Sequence, residues 1–295
     1  MVRVDVKEKV LVALTNQKIQ IDNQLDNAVD DAMSVLVEFD SKNNTKINHK
    51  KSVDMFYKSL EANFGVLDDK TKRELLKVYV PVILITTNDG FYINYNRLDN
   101  GVLVNTWTEK FPYIKKEDKV YRFYAGEERE NISIVENKTT QKGKWDELGL
   151  EYPERMRKDF DQYRRDVIID CITEKMQYYM DQNNYIAKNY GIAYTFRLPN
   201  IEKDDWKRTI DDISFMVLFQ GYQYGTYSTM RYNRYTVAGA RTHKEDMYYI
   251  QYDQSSGRNL YHRYNCDKVT DFSQGFFTKR QCAVEGAFAC PHCKP

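Results

Sequence analysis

A chain of 295 residues with 44 basic and 43 acidic side chains has a formal net charge of +1, which excludes a long-range field drawing it onto nucleic acid or an acidic membrane, so any basic patch has to be local. The length is about twice that of a usual domain, enough for one large or two modest domains that bury a core without disulfides. Six prolines and thirteen glycines exclude a linker-rich or disordered chain.

The chain opens Met1-Val-Arg-Val-Asp-Val-Lys, charged from the third residue, which is not the pattern of a signal peptide. No run reaches the ~20 apolar residues of a membrane helix, so the chain as given is expected to be soluble, with its compartment open. Leu11, Leu14, Lys18, Ile21, Leu25, Ala28, Ala32, Val35 and Phe39 recur at alternating spacings of three and four. Their register predicts one long amphipathic helix with a coiled-coil seam over residues 1–40. Lys18 on the seam and the small Ala28 and Ala32 suit a close helix pair better than a strong zipper. The half before Ile21 is expected to project and the half after it to pack, which offers a protein partner, or a second copy, a helical surface.

An α+β domain is expected over 41–255. Val53, Phe56, Leu60 and Phe64 mark a second helix stopped by Gly65, and Asp68-Asp69 caps a short helix ending near Lys77. The β-branched run 78–86, the turn Asn88-Asp89-Gly90 and the run 91–95 predict an antiparallel hairpin. Strands follow at 102–108 and 119–124, while 126–150 reads as loop with one strand at Ile132–Val135. From Pro153, the residues Met156, Phe160, Tyr163, Val167 and Cys171 set a long helix to Tyr190, with Cys171 on its buried stripe. Trp206, Ile210, Ile213 and Val217 predict a further helix running to Gly221. The aromatic stretch after it reads as a surface loop, and Tyr-rich loops suit wet interfaces, although codon bias supplies the 24 tyrosines equally well. A strand at 247–252 and the turn Asp253-Gln-Ser-Ser-Gly lead to a last module, 256–295.

Four of the five cysteines, 266, 282, 290 and 293, fall near the C-terminus beside a histidine. Zinc takes four N or S ligands in a tetrahedron, commonly as close pairs from two places in the chain. The pairs here are His262-Arg-Tyr-Asn-Cys266 and Cys290-Pro-His-Cys293, so His262, Cys266, Cys290 and Cys293 are expected to hold zinc. A disulfide between Cys290 and Cys293 or an adventitious cluster is the competing reading. Cys282 and His292 are spares, Cys282 for packing. His49 and His243 sit among polar residues and read as solvated, and no paired acids line up with a nucleophile or base.

The segment Tyr261-His-Arg-Tyr-Asn-Cys266, Phe277-Thr278, Ala283, Gly286 and Cys290-Pro-His-Cys293-Lys-Pro295 resembles the zinc-binding module of Ada-type methyl phosphotriester repair proteins. The same module is appended to other proteins, some nucleases among them. In the repair family the first ligand is the methyl-accepting cysteine. That position is His262 here, and imidazole lacks the thiolate nucleophile, so the resemblance implies fold and metal but not methyl transfer. A long helix leading into a sheet is also loosely similar to membrane-anchored sensor or pilin-like ectodomains.

The function these observations favour is a non-enzymatic assembly or recognition protein with a structural zinc module, such as the soluble part of a surface or secretion-type apparatus. The alternative is a nucleic-acid-binding or processing protein that uses Arg231, Arg234, Arg241, Tyr232 and Tyr235 as a local stacking and phosphate surface.

Overall fold

The computed structural model describes residues 2–39, 45–136, 138–225, 230–239, 248–262, 266–270, 282 and 284–293. The fold is α+β, with antiparallel sheets and a long N-terminal helix, and the chain divides into two compact units, Met1–Ala240 and Arg241–Pro295.

In the first unit, helix α1 spans Val2–Ser34 and ends in the hairpin β1 (Val37–Phe39) and β2 (Thr45–Ile47). The helix stops short of the expected Asp40 because Val37 pairs with Ile47 across the hairpin, a use that suits its β-branched side chain. Helices α2 (His49–Asn63) and α3 (Lys70–Val78) follow. Gly65, at φ +65°, closes α2 as the left-handed residue past its cap, and the Asp69 carboxylate accepts the Lys72 amide to start α3. His49 is the first residue of α2, not a solvated loop residue. Its half-buried ring stacks on Tyr92 at 4.5 Å and meets Trp107 edge-on.

The central sheet has the order β11-β10-β3-β4-β5, from β3 (Val82–Thr87), β4 (Gly90–Asp99), β5 (Val102–Trp107), β10 (Ser214–Tyr224) and β11 (Met230–Gly239). Asn88 and Asp89 make the two-residue turn of the β3–β4 hairpin. A second sheet, β6 (Tyr113–Lys116), β7 (Val120–Phe123), β8 (Asn131–Glu136) and β9 (Thr139–Lys144), runs in simple succession. Residues 126–150 thus carry a 3-10 turn and two strands where one strand was expected. The polar sequence of β9 hid it, since nearly all of that strand is exposed.

The long helix expected from Pro153 is two helices, α4 (Glu154–Lys158) and α5 (Phe160–Asn189). Asp159 is extended between them and its carboxylate caps α5 through the Gln162 amide. Helix α6 covers only Lys203–Asp211, and residues 214–224, expected to be helical, form the central strand β10. Ile210, Ile213 and Val217 satisfy a helical period. The continuous run Ser214-Phe-Met-Val-Leu-Phe-Gln is buried on both faces between β3 and β11, and a strand covered on both sides has no alternation to show. Gly221, at φ +75°, carries the bulge that follows, with the Tyr194 ring so close that a Cβ there would clash.

Amide side chains lock these layers together. Asn96 on β4 donates to the carbonyls of Lys77 and Val80 and to Asn183 Oδ1 on α5, and Asn183 donates to Val78 O. Asn105 on β5 donates to Asn96 Oδ1 and Tyr57 Oη. Asn183 is fully buried, so every partner it loses leaves a dry polar group behind.

Along α1 the burial changes at Ile21. Leu11, Val12 and Ile19 are 64%, 58% and 51% exposed, whereas Ile21, Leu25, Ala28, Val29 and Ala32 are buried. The packed half is held by Tyr232 Oη donating to Asp22 at 2.5 Å and by Arg234 reaching Asp22 and Asp26.

In the second unit, β12 (Tyr249–Asp253), β13 (Arg258–His262) and β14 (Phe288–Ala289) form a three-stranded sheet, β13 antiparallel to β12 and parallel to β14.

Two predictions follow from this packing. Removing residues 1–20 leaves the rest folded, with its thermal transition retained, and limited proteolysis of the whole chain cuts ahead of residue 20. Replacing Asn183 with Ala strands the Val78 carbonyl, takes one acceptor from the Asn96 amide and costs about 2–3 kcal/mol in urea unfolding.

Candidate metal centre

The centre is built by the ends of two paired strands and two turns. Tyr249 lies opposite His262 in the β12–β13 register, and Ala289 lies beside Tyr261 in the parallel β13–β14 pair. The Cys290 amide then donates to Tyr261 O at 3.1 Å, which places Cys290 next to His262. Cys266 opens a turn closed by the Val269 amide on its carbonyl. The Tyr249 ring packs with Cys266, Val269 and Cys290 in a small apolar cluster, with Cys293 against it.

The result is a convergence of His262, Cys266, Cys290 and Cys293, whose ligand atoms all lie within 4.8 Å of one another. The first three are buried and Cys293 is half-buried. All five cysteines of the chain are free thiols, so Cys290 and Cys293 are not a disulfide. Nδ1 of His262 stands 3.4 Å from Sγ of Cys266. A tetrahedral ion with bonds of about 2.05 Å to nitrogen and 2.3 Å to sulfur sets an N–S edge of about 3.5 Å, so the spacing fits a shared metal.

The electrostatics are those of a site that can hold a cation. Burial lowers the His262 pKa, which keeps the imidazole neutral and able to ligate at neutral pH. Burial raises the Cys266 thiol to about 11, partly opposed by a hydrogen bond from the Lys268 backbone. Burial also pushes Cys290 up, but backbone hydrogen bonds from Cys293 and His292 and the neighbouring thiols outweigh it, and its pKa falls below the ordinary value. Backbone N–H groups aimed at sulfur stabilise thiolate, and a bound cation supplies the remaining drive to deprotonate.

The spares lie outside the ligand set. His292 Nε2 sits 2.8 Å from Asp267 and ties the Cys290 turn to the Cys266 turn from the exposed side. Cys282 is fully buried with Tyr248 and Ile250, and Cys171 donates to Ile114 O from α5, its pKa raised by burial. Sequence spacing carried no sign of the Asp267–His292 link. The alternation of 249–253 does not announce the packing of Tyr249 on the ligands, because the polar Gln251 and Asp253 share its side of the strand. Phe277, Thr278, Ala283 and His243 lie outside the described residues.

Three of the five residues of the alternative reading, Tyr232, Arg234 and Tyr235, are engaged within the first unit. Tyr232 is buried at 2% exposure and bonded to Asp22, and Arg234 pairs with Asp22 and Asp26. Tyr235 Oη donates to Asp205 and accepts the Glu202 amide. Arg231 faces Gln223 across the β10–β11 pair, and Arg241 lies outside the described residues. No stacking face is left on Tyr232, and Arg234 offers no free charge to a phosphate.

If the four residues share a cation, a chelator should make Cys266, Cys290 and Cys293 react together with iodoacetamide, and restoring metal should protect all three. Mass spectrometry after proteolysis reads this directly. Cysteines that react at unchanged rates with and without chelator count against a common site.

Scans against protein-family models, curated proteins and solved structures found no match, so the likeness to the Ada-type module rests on the residues quoted for it.

Proposed function

We propose that this chain is a non-enzymatic assembly or recognition protein that presents the first half of α1 to a helical partner and stabilises its C-terminal module with a structural zinc ion. The observation that carries the recognition reading is the exposure of Val10, Leu11, Val12 and Ile19 on a helix whose later half is anchored by buried Ile21, Leu25 and Ala28. Of these, Leu11 lies on the heptad seam, and apolar side chains exposed along the helix gain by burial against another helix, at about 25 cal/mol per Å² of area removed from water. The fitting partner is an amphipathic helix with an apolar seam.

Support for zinc comes from the donor set. Three thiolates and one imidazole suit a borderline-soft ion with tetrahedral preference, and four protein ligands leave no open position for a substrate or water. Such an ion is structural, and at this size it contributes on the order of 10 kcal/mol to folding. Because His262 stands where the repair family carries its acceptor thiolate, methyl transfer is left out of the reading.

Photo-crosslinking amino acids placed singly along residues 9–20 of the full chain in its native cells test the recognition reading. Yield is expected to peak at 11, 14 and 18 and to fall between them, and Leu11→Asp should abolish it without lowering the melting temperature. A flat profile along the helix would overturn the proposal. For the metal, elemental analysis should find about one zinc per chain.

A further inference from the structure

The outer edge of β11 opens into a cleft of about 400 Å³ lined by Asp26, Val29 and Asp30 of α1, Asp205 and Arg208 of α6, and Arg234–Ala238 of β11. The strand register shows how the walls are arranged. Arg234, Thr236 and Ala238 lie opposite Phe219, Val217 and Phe215, and so share one face of the sheet. That face meets α1, since Arg234 and Thr236 both reach Asp26. Tyr235 and Val237 point to the other face, where Tyr235 bonds Asp205 of α6. The cleft therefore has α1 for one wall, α6 for the other, and the sheet edge as its floor.

The floor carries unused backbone groups. The Gln220 amide donates to Tyr79 O and the Ser214 amide to the Thr86 hydroxyl, both on the β3 side. Alternation along β10 then turns Phe215, Val217 and Phe219 toward β11, where they bond Ala238, Thr236 and Arg234. The N–H and C=O groups of Tyr235 and Val237 face away from β10, into the cleft, and have no hydrogen-bond partner among the described residues. An edge left unpaired among the described residues is a template for another strand, and the two walls fix where its alternating side chains go.

We propose that this cleft binds an extended segment of a partner protein as a further strand on β11, with Lys or Arg at alternate positions directed toward α1. The α1 wall selects for that charge. Asp26 and Asp30 stand one turn apart on it, Arg234 ties Asp26 to Asp22 a turn earlier, and Asp30 makes no ion pair among the described residues. A second copy of the chain is the poorer occupant, because pairing β11 with itself would bring two Asp30-bearing walls together. Main-chain hydrogen bonds supply the affinity and the walls supply the register, as in other strand-addition sites. The inference rests on the recognition reading above and gives it a second kind of partner. It uses no residue of the α1 seam, so seam crosslinks report on that reading independently of this one.

The test is selection of a displayed library of randomised peptides of about ten residues against the full zinc-loaded chain. Enriched peptides are expected to carry Lys or Arg at every second position, to bind more weakly as salt rises, and to slow hydrogen exchange at the Tyr235 and Val237 amides. Val237→Pro deletes an N–H that makes no ladder bond, and it should weaken the selected peptides at least tenfold. Asp30→Lys, at an exposed helix position that threatens no packing, should do the same. Peptides that bind both variants as well as the parent chain overturn the proposal, as does a library with no enrichment. Amides of Tyr235 and Val237 already protected in the free chain, or a dimer broken by Val237→Pro, would assign the edge to the chain itself and overturn it equally.

Discussion

The first unit depends on keeping a few carboxamides dry and fully bonded. Asn96 and Asn183 sit in the interior where β4, α5 and the start of β3 meet, and they satisfy the carbonyls of Lys77, Val78 and Val80. Those carbonyls belong to the turn between α3 and the sheet, where regular structure lapses and backbone groups would otherwise be buried unpaired. Hydrophobic packing alone would tolerate α5 sliding along the sheet. Bonds with fixed directions do not, so the amides set the register between layers.

The same device recurs at the segment 192–201, which runs between α5 and α6 without regular structure. Asn184 accepts the Phe196 amide and donates to its carbonyl, and Gln220 does the same for Arg197. Two side chains thus act as a neighbouring strand for a stretch that has none. Tyr194, whose hydroxyl donates to Asn233 while its ring lies over Gly221, holds the other side. The segment is ordered by side-chain chemistry, which explains why nothing in its local propensity announced it.

What was legible in the sequence followed from local signals. The β3–β4 hairpin was readable because Asn88-Asp89-Gly90 has few other uses, α2 because a glycine closes it, α3 because Asp69 caps its start, and α1 from its stripe, though not its end, which no cap or glycine marks. The helix assigned to 206–221 was unreadable in part, since Trp206, Ile210 and Ile213 keep a helical spacing up to the residue where the strand takes over. Only the pairing of Ser214–Val217 with Ile83–Thr86 decides the issue, and that partner lies more than a hundred residues away. The metal cluster was legible for the opposite reason: its ligands are close in sequence and chemically distinctive. The β11 cleft left no mark, because edge status is a property of the finished sheet.

The connectivity of that sheet also sets a timetable for synthesis. Strand β3 is hydrogen-bonded to β4 from early on, but its other edge waits for β10, with Thr86 and Ser214 separated by 128 positions. Asp22 waits longer still for Tyr232, 210 positions downstream. At about 5–20 residues per second the ribosome leaves the apolar edge of β3 uncovered for on the order of ten seconds. Loop closure over such distances is slow, and an uncovered apolar edge is open to strand exchange with other nascent chains in the meantime. Polysome-bound chains ending between residues 110 and 210 are therefore the form of this protein that has most need of a chaperone.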